Sequence, residues 1–397
     1  MSVIDKFLKY VSFDTQSDEN SDCVPSTSKQ LILGKELKEE CEKMNADHVY
    51  MDSSGIVYVT IHATCDNKPS IGFLAHMDTA TEISGKDVKP QIIKNYQGQT
   101  IFLNDEYKMN PEEFKNLKKV IGDDLIVTDG TTLLGGDDKA GVAILMQVME
   151  DIIQNPVEHG KLMFAFTCDE EVGKGTDHFD LDRFNVDFAY TIDGADIDQV
   201  DYETFNAAHA KISIHGTSIH PGEAKGRMVN ASLLASEFMM NMPSIETPQC
   251  TENYEGFYHV TNVKSNVDLA TIDYIIRDHD LNTFENRKQY MKKMVSYFNE
   301  KYGNRFTIEI EDQYYNMANY IKDTTCIEKA KKAIDKEGYQ SRSTPVRGGT
   351  DGANLTKRGL PCPNLGTGSY NHHGRYEFAS IQQMETMVRI VKNIICD

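Results

Sequence analysis

The chain has 397 residues, 40% hydrophobic and 26% charged, a composition that excludes disordered and fibrous classes at a length where one core usually gives way to two. Its 41 basic and 61 acidic residues give a formal charge of −20, which excludes nucleic acid and anionic membrane surfaces as expected partners. The eight cysteines stand singly with no Cys-x-x-Cys pair, which argues against a disulfide scaffold or a zinc finger.

No signal-like segment opens the chain and no apolar stretch has bilayer length, so a cytoplasmic protein is expected. Pro25-Ser26-Thr27-Ser28 offers caps for a helix with an apolar stripe of Leu33, Leu37, Cys41 and Met44. Two β-rich runs, 47–51 and 56–61, flank a hairpin turn at Asp52-Ser53-Ser54-Gly55. The apolar run Ile71 to Ala75 then ends on His76. After a polar excursion from Lys86 to Thr128, Leu133-Leu134 leads through Gly135-Gly136 to Asp137-Asp138 and a buried helix from Ala140 to Ile153. Leu162 to Thr167 runs into Asp169-Glu170-Glu171, and Phe188 to Ile192 ends at Asp193.

Beyond Asp193 the order strand, helix, strand, strand, helix, strand over 208–315 predicts a ferredoxin-like α+β domain inserted into the first. The links near Asn206 to His209 and Glu311 to Tyr315 are its natural hinges. An α/β pattern then resumes over 316–397, with a helix from Asp323 to Gly338, a loop at Gly348 to Gly352, an extended run at Pro363 to Thr367 and a closing helix from Ser380 to Ile395. The first domain is thus expected to comprise 1–207 and 316–397, built on a mixed sheet.

Four strand-like runs therefore end on a His or a carboxylate, and a fifth candidate, His372-His373, lies far downstream. Carboxylates at the ends of buried strands need compensation, and a divalent metal is the strongest compensation available. His76 and Asp78 project to one side by the two-residue period, a ligand and its orienter or else a buried structural pair. The Gly135 to Gly141 segment lacks phosphate-loop order; one of its two carboxylates is expected to bridge two metals, the plain alternative being a helix N-cap with a helix-dipole carboxylate, which explains one Asp more easily than two. Glu170 and Glu171 diverge, so one is expected to ligate and the other to act as general base, with an acidic turn as the plain alternative for Asp169. Only one of His372 and His373 is expected to ligate.

Together with His220-Pro221-Gly222, Tyr254-Glu255-Gly256-Phe257-Tyr258-His259, Ile275-Ile276-Arg277-Asp278, Tyr314-Tyr315-Asn316-Met317, Arg347-Gly348-Gly349-Thr350-Asp351-Gly352 and Gly359-Leu360-Pro361-Cys362-Pro363-Asn364-Leu365, these motifs carry a resemblance over nearly the whole chain. The sequence resembles the dinuclear zinc exopeptidases that include aminoacylases and carboxypeptidase G, and most closely their tripeptide aminopeptidase branch, peptidase T. The likeness implies a zinc-exopeptidase catalytic domain with an inserted lid. It implies two Zn2+ per subunit, with Mn2+ or Co2+ as substitutes: His76 and Asp193 on one, Glu171 and His373 on the other, Asp137 between them. It further implies Glu170 as general base, Asp78 as orienter of His76, and substrate binding by His220, Arg277 and Arg347. Short peptides are the implied substrates, and a monomer or homodimer the implied state. Cys168 stands where proline is expected.

Overall fold

In the computed structural model, which describes residues 1–397, the runs ending at His76, Thr167 and Asp193 form neighbouring parallel strands. The full order is His48–Met51, Val57–Ile61, Leu162–Thr167, Ile71–His76, Phe188–Gly194, Asn364–Gly366, Val200–Asp201. The four central strands are parallel and the outer pairings antiparallel, which makes the sheet mixed. In register, His76 lies opposite Thr167 and Leu74 opposite Thr191, so one edge of the sheet receives the C-terminal ends of all three strands. Open α/β sheets bind their ligands at that edge.

Both faces of the sheet are covered, which is why its central strands read as uninterrupted apolar runs. Phe73, Ala75, Phe164, Phe166, Tyr190 and Ile192 join one core with residues of the helices Val3–Tyr10, Gly136–Gln154, Thr325–Lys336 and Ile381–Cys396. Their neighbours Leu74, Met163, Ala165 and Ala189 face the opposite way, against Phe179, Phe184 and Leu355. The expected stripe of Leu33, Leu37 and Cys41 is buried on the helix Gln30–Lys43. No side chain of the Pro25-Ser26-Thr27-Ser28 segment caps that helix, because the Ser26 hydroxyl donates to Asp169 and the Thr27 hydroxyl to the Gln16 carbonyl; instead the Thr27 and Ser28 carbonyls accept from the Gln30 and Leu31 N–H groups.

Two further expectations are corrected. Leu133-Leu134 is not a strand but irregular chain leading into the Gly135-Gly136 turn. The glycine-rich 348–352 segment is a loop only as far as Thr350, whose hydroxyl accepts from the Ala353 N–H at 3.3 Å and caps a short helix, Asp351–Lys357. The polar excursion holds the strands Gln91–Ile93 and Leu125–Val127, which share a sheet with Phe378–Ser380 and Ser369–Tyr370. The turn joining these last two strands carries His372 and His373.

Gly141 fixes the spacing between helix and sheet. A Cβ there would stand 2.0 Å from the Ile192 carbonyl oxygen, a backbone atom beside Asp193 that cannot step aside. Gly141→Ala is therefore expected to cost about 3 kcal/mol, at the upper end of overpacking effects, read as a fall in urea midpoint at unchanged slope.

Contacts divide the chain into two compact units, Met1–Tyr202 with Ile321–Ser343 and Thr350–Asp397, and Glu203–Tyr320 with Thr344–Gly349. The second unit is a four-stranded antiparallel sheet in the order Phe257–Ser265, Leu269–Asp278, Asn206–His215, Phe306–Tyr314, with helices Ala231–Met240 and Leu281–Tyr302. That succession is the ferredoxin-like βαββαβ arrangement. The unit is wider than 208–315 because an asparagine pair clasps its ends: Asn316 N–H donates to Asn206 Oδ1 at 2.9 Å and Thr204 N–H to Asn316 Oδ1 at 3.1 Å. It also takes in Arg347, whose neighbour Val346 donates to the Glu203 carbonyl at 2.8 Å. No helix is long and apolar enough to cross a membrane.

Candidate metal centre

Three segments deliver one group of donors. His76 ends its strand with Nε2 3.0 Å from Asp137 Oδ1 and 3.4 Å from Asp193 Oδ1. A second group forms where the turn after Thr167 meets the late histidine loop: His373 Nε2 lies 3.0 Å from Glu171 Oε2 and 3.4 Å from Asp137 Oδ2. In each group the ligand atoms lie within 4.8 Å of one another. Asp137 belongs to both, presenting a different oxygen to each.

The two aspartates of the glycine turn divide their work. Asp137 and Asp138 depart from helical dihedrals, so regular helix begins only after them; Asp138 Oδ1 caps it by accepting from the Gly141 N–H at 3.0 Å, and its Oδ2 accepts from the His76 N–H at 3.2 Å. Asp137 is left to face the histidines. Lys139 completes the segment by donating to the Phe13 carbonyl at 2.7 Å, a structural use. Of the adjacent imidazoles, His373 joins Glu171, whereas His372 pairs Nε2 with the Ser369 hydroxyl at 2.8 Å and points Nδ1 at Asp137 Oδ2, 3.3 Å away.

Asp78 ties the first group to the acidic turn. His76 Nδ1 lies 3.1 Å from the Asp78 carbonyl and 3.3 Å from its carboxylate, the contact that fixes a ligand imidazole. The same carboxylate accepts from the N–H groups of Glu170 at 3.1 Å and Glu171 at 3.2 Å, and from the Ser17 hydroxyl. Asp169 lies in neither donor group and belongs to the acidic turn at the strand end, where it is buried. It sits in the left-handed region at φ 60°, and its buried carboxylate accepts from the Ser26 N–H at 2.6 Å and from Gln30 Nε2 at 2.6 Å. Glu170 and Glu171 thereby emerge from a fixed turn in different directions, Glu171 into the second group and Glu170 into neither.

Sequence reasoning passed over several of these supports. Glu82 Oε1 lies 3.2 Å from His373 Nδ1, Glu377 accepts from the turn that carries Asp137, and Asp351 accepts from the Thr167 hydroxyl at 2.9 Å. Glu82 and Glu377 carry no local signature, since folding alone joins them to the site. Asp351 alone had a signal, lying in the glycine-rich motif.

His220, Arg277 and Arg347 all lie in the second unit. His220 caps a turn, its Nδ1 accepting from the Gly222 N–H at 3.2 Å. Arg277 donates to the carbonyls of Ala208 and Ile276 at 3.2 and 3.0 Å and to Gln313 Oε1 at 3.1 Å. Arg347 donates to the Glu255 carbonyl at 2.7 Å and to the Thr251 hydroxyl at 2.8 Å, so part of its guanidinium already serves its own unit.

The electrostatics explain what the donor set needs. Burial, with help from Asp193, Asp351 and Glu171, pushes the Glu170 carboxyl well above the usual range against the pull of His76. Burial likewise raises Glu171 and Asp193 to about 7 despite their histidine partners. Burial opposes charge on His76, but Asp193, Asp137 and Asp78 outweigh it and hold the ring well above the usual histidine value. Glu171 Oε1 is buried with no hydrogen-bond partner at all. Two divalent cations fit this set: they would reverse the upward carboxylate shifts and supply the missing partner to Glu171.

Over 399 residues the chain is 47% identical to "Peptidase T" of Caldanaerobacter subterraneus subsp. tengcongensis, covering 99% of this chain and 98% of the relative. The chain belongs to the peptidase T family. Family membership makes it a hydrolytic enzyme. Peptidase T of Shouchella clausii is 48% identical, with 99% and 97% covered. Residues 202–305 match the peptidase dimerisation domain, and residues 125–234 match the M42 glutamyl aminopeptidase family. The fold is that of the aminopeptidase from Bacillus cereus, with TM-score 0.79 and 21% identity over 99% of this chain and 97% of the other. A Bacillus subtilis protein described as a dinuclear metal binding peptidase shares it at TM-score 0.66 and 14% identity, over 99% and 96%.

Proposed function

We propose that this enzyme releases the N-terminal residue from tripeptides, using two zinc ions held by His76 with Asp193, Glu171 with His373, and Asp137 shared. The observation that carries the reading is Asp137 offering one carboxylate oxygen to each histidine-containing group while Glu170 stands outside both. The names of the relatives favour the same substrate class: "Peptidase T" for the curated proteins and "tripeptidase" for a Staphylococcus aureus neighbour. Manganese or cobalt would suit the same oxygen and nitrogen donors.

Bound in these groups, the cations would acidify a water molecule and polarise the scissile carbonyl. Glu170 would take a proton from the attacking water and return it to the leaving amine. Asp78 holds the Glu170 and Glu171 backbone and the His76 ring together, so base and ligands keep one register. By likeness to the family, His220 is assigned to the carbonyl oxygen of the substrate and Arg277, with Arg347, to its terminal carboxylate. A carboxylate captured two residues beyond the cut favours short peptides. The second unit is assigned the role of substrate-binding lid and, from its match to a dimerisation domain, of the contact in a homodimer.

The test is a panel of di-, tri- and tetrapeptides and N-acyl amino acids with zinc-reconstituted protein. The expected result is a kcat/KM for tripeptides at least tenfold above the others, with the free N-terminal residue as product. Faster turnover of dipeptides or N-acyl amino acids would sink the substrate assignment.

A further inference from the structure

Glu377 is buried to 1% exposure within the first unit, and no step of the chemistry above uses it. Its carboxylate accepts three backbone N–H groups of a single turn: Oε2 from Leu134 at 2.8 Å and Gly135 at 2.7 Å, Oε1 from Asp137 at 2.9 Å. The two glycines of that turn make the approach possible. Gly135 has φ 80°, in the left-handed region, and a Cβ on Gly136 would stand 3.1 Å from Glu377 Oε1 and 3.0 Å from Ser369 Cβ. Ser369 in turn holds His372.

Glu377 ends the same turn that carries His372 and His373, between the strands Ser369–Tyr370 and Phe378–Ser380. The pairing of Phe378–Ser380 with Leu125–Val127 brings the loop bearing His373 beside the loop bearing Asp137, and this one buried carboxylate ties the two together next to the donor atoms. We propose that Glu377 is a positioning residue that sets Asp137 and His373 in register for the second metal group.

The inference rests on the two-metal reading. It makes an asymmetric prediction, because the group of Asp137, Glu171 and His373 takes two members from the clamped loops, whereas that of His76, Asp137 and Asp193 takes one. In Glu377→Gln an NH2 donor replaces one acceptor oxygen and faces backbone N–H groups, which breaks the clamp while keeping the side chain's size.

The experiment is a zinc titration of metal-free full-length wild type and Glu377→Gln against a chromophoric chelator, with the cobalt absorption spectrum as second readout. The expected result is two sites in wild type, and in the variant one site weakened 10–100-fold, the other less than tenfold, with an altered cobalt spectrum. Wild-type affinities at both sites, or an equal loss at both, would overturn the inference. Failure of wild type to bind two ions would instead overturn the two-metal reading. Near-UV circular dichroism of the metal-free variant reports folding. If the glutamine variant does not fold, Glu377→Asp, which keeps the charge but cannot span all three N–H groups, is titrated with the same expectation.

Discussion

Replacing Glu170 by alanine is expected to lower kcat by about 10²–10⁴-fold, the usual range for a general acid–base group, with both zinc ions retained. The reason is positional. The Glu170 backbone N–H is pinned to Asp78 Oδ1 at 3.1 Å, yet its carboxylate enters neither donor group. Glu171, one residue on, contributes Oε2 to the second group, so Glu171→Ala should lose one zinc and serves as the contrasting variant. Metal analysis beside steady-state kinetics separates the two roles. Loss of zinc from Glu170→Ala would mean that base and ligand have been exchanged.

Asp137→Ala is expected to have the larger structural effect, since it removes the one side chain common to both groups. Neither zinc should be held at wild-type affinity, and turnover should fall to background. A ligand that binds only the folded state stabilises it by RT ln(1 + [L]/Kd), or about 4 kcal/mol at a thousandfold excess over Kd. Zinc should therefore raise the Tm of metal-free wild type by several degrees and leave that of Asp137→Ala almost unmoved. Asp138→Asn is the control, because that side chain caps the helix at Gly141 and holds the His76 N–H, and it lies in neither group. A zinc-dependent rise in Asp137→Ala equal to that of wild type would contradict a shared ligand.

Much of this site could be read from the chain because parallel strands buried on both faces leave a plain trace. Ile71 to His76 and Phe188 to Asp193 are apolar until they reach the sheet edge, and each then ends on a side chain that water or a metal must satisfy. Choices between adjacent residues were less legible. Asp137 and Asp138 have the same chemistry, and only the hydrogen bond from Gly141 shows which one caps the helix. Leu133-Leu134 resembled a strand because a short apolar run looks the same whether it pairs or merely packs. The helix Asp351–Lys357 was hidden behind glycines that signalled a loop.

The supporting partners were illegible for a different reason. Ser26 and Gln30 reach Asp169, and Glu82 reaches His373, across most of the first unit's sequence. A carboxylate such as Glu377 looks like surface charge until folding buries it against three N–H groups. The clasp between Asn206 and Asn316, which belongs to the second unit, is likewise a tertiary contact with no periodicity to betray it.

Anomalous diffraction at the zinc edge, from crystals of the metal-reconstituted protein, tests the shared-carboxylate arrangement most directly. Two peaks are expected, one on each side of the Asp137 carboxylate, the first against His76 and Asp193 and the second against Glu171 and His373. A single peak, or a pair of peaks not joined by Asp137, would contradict the account.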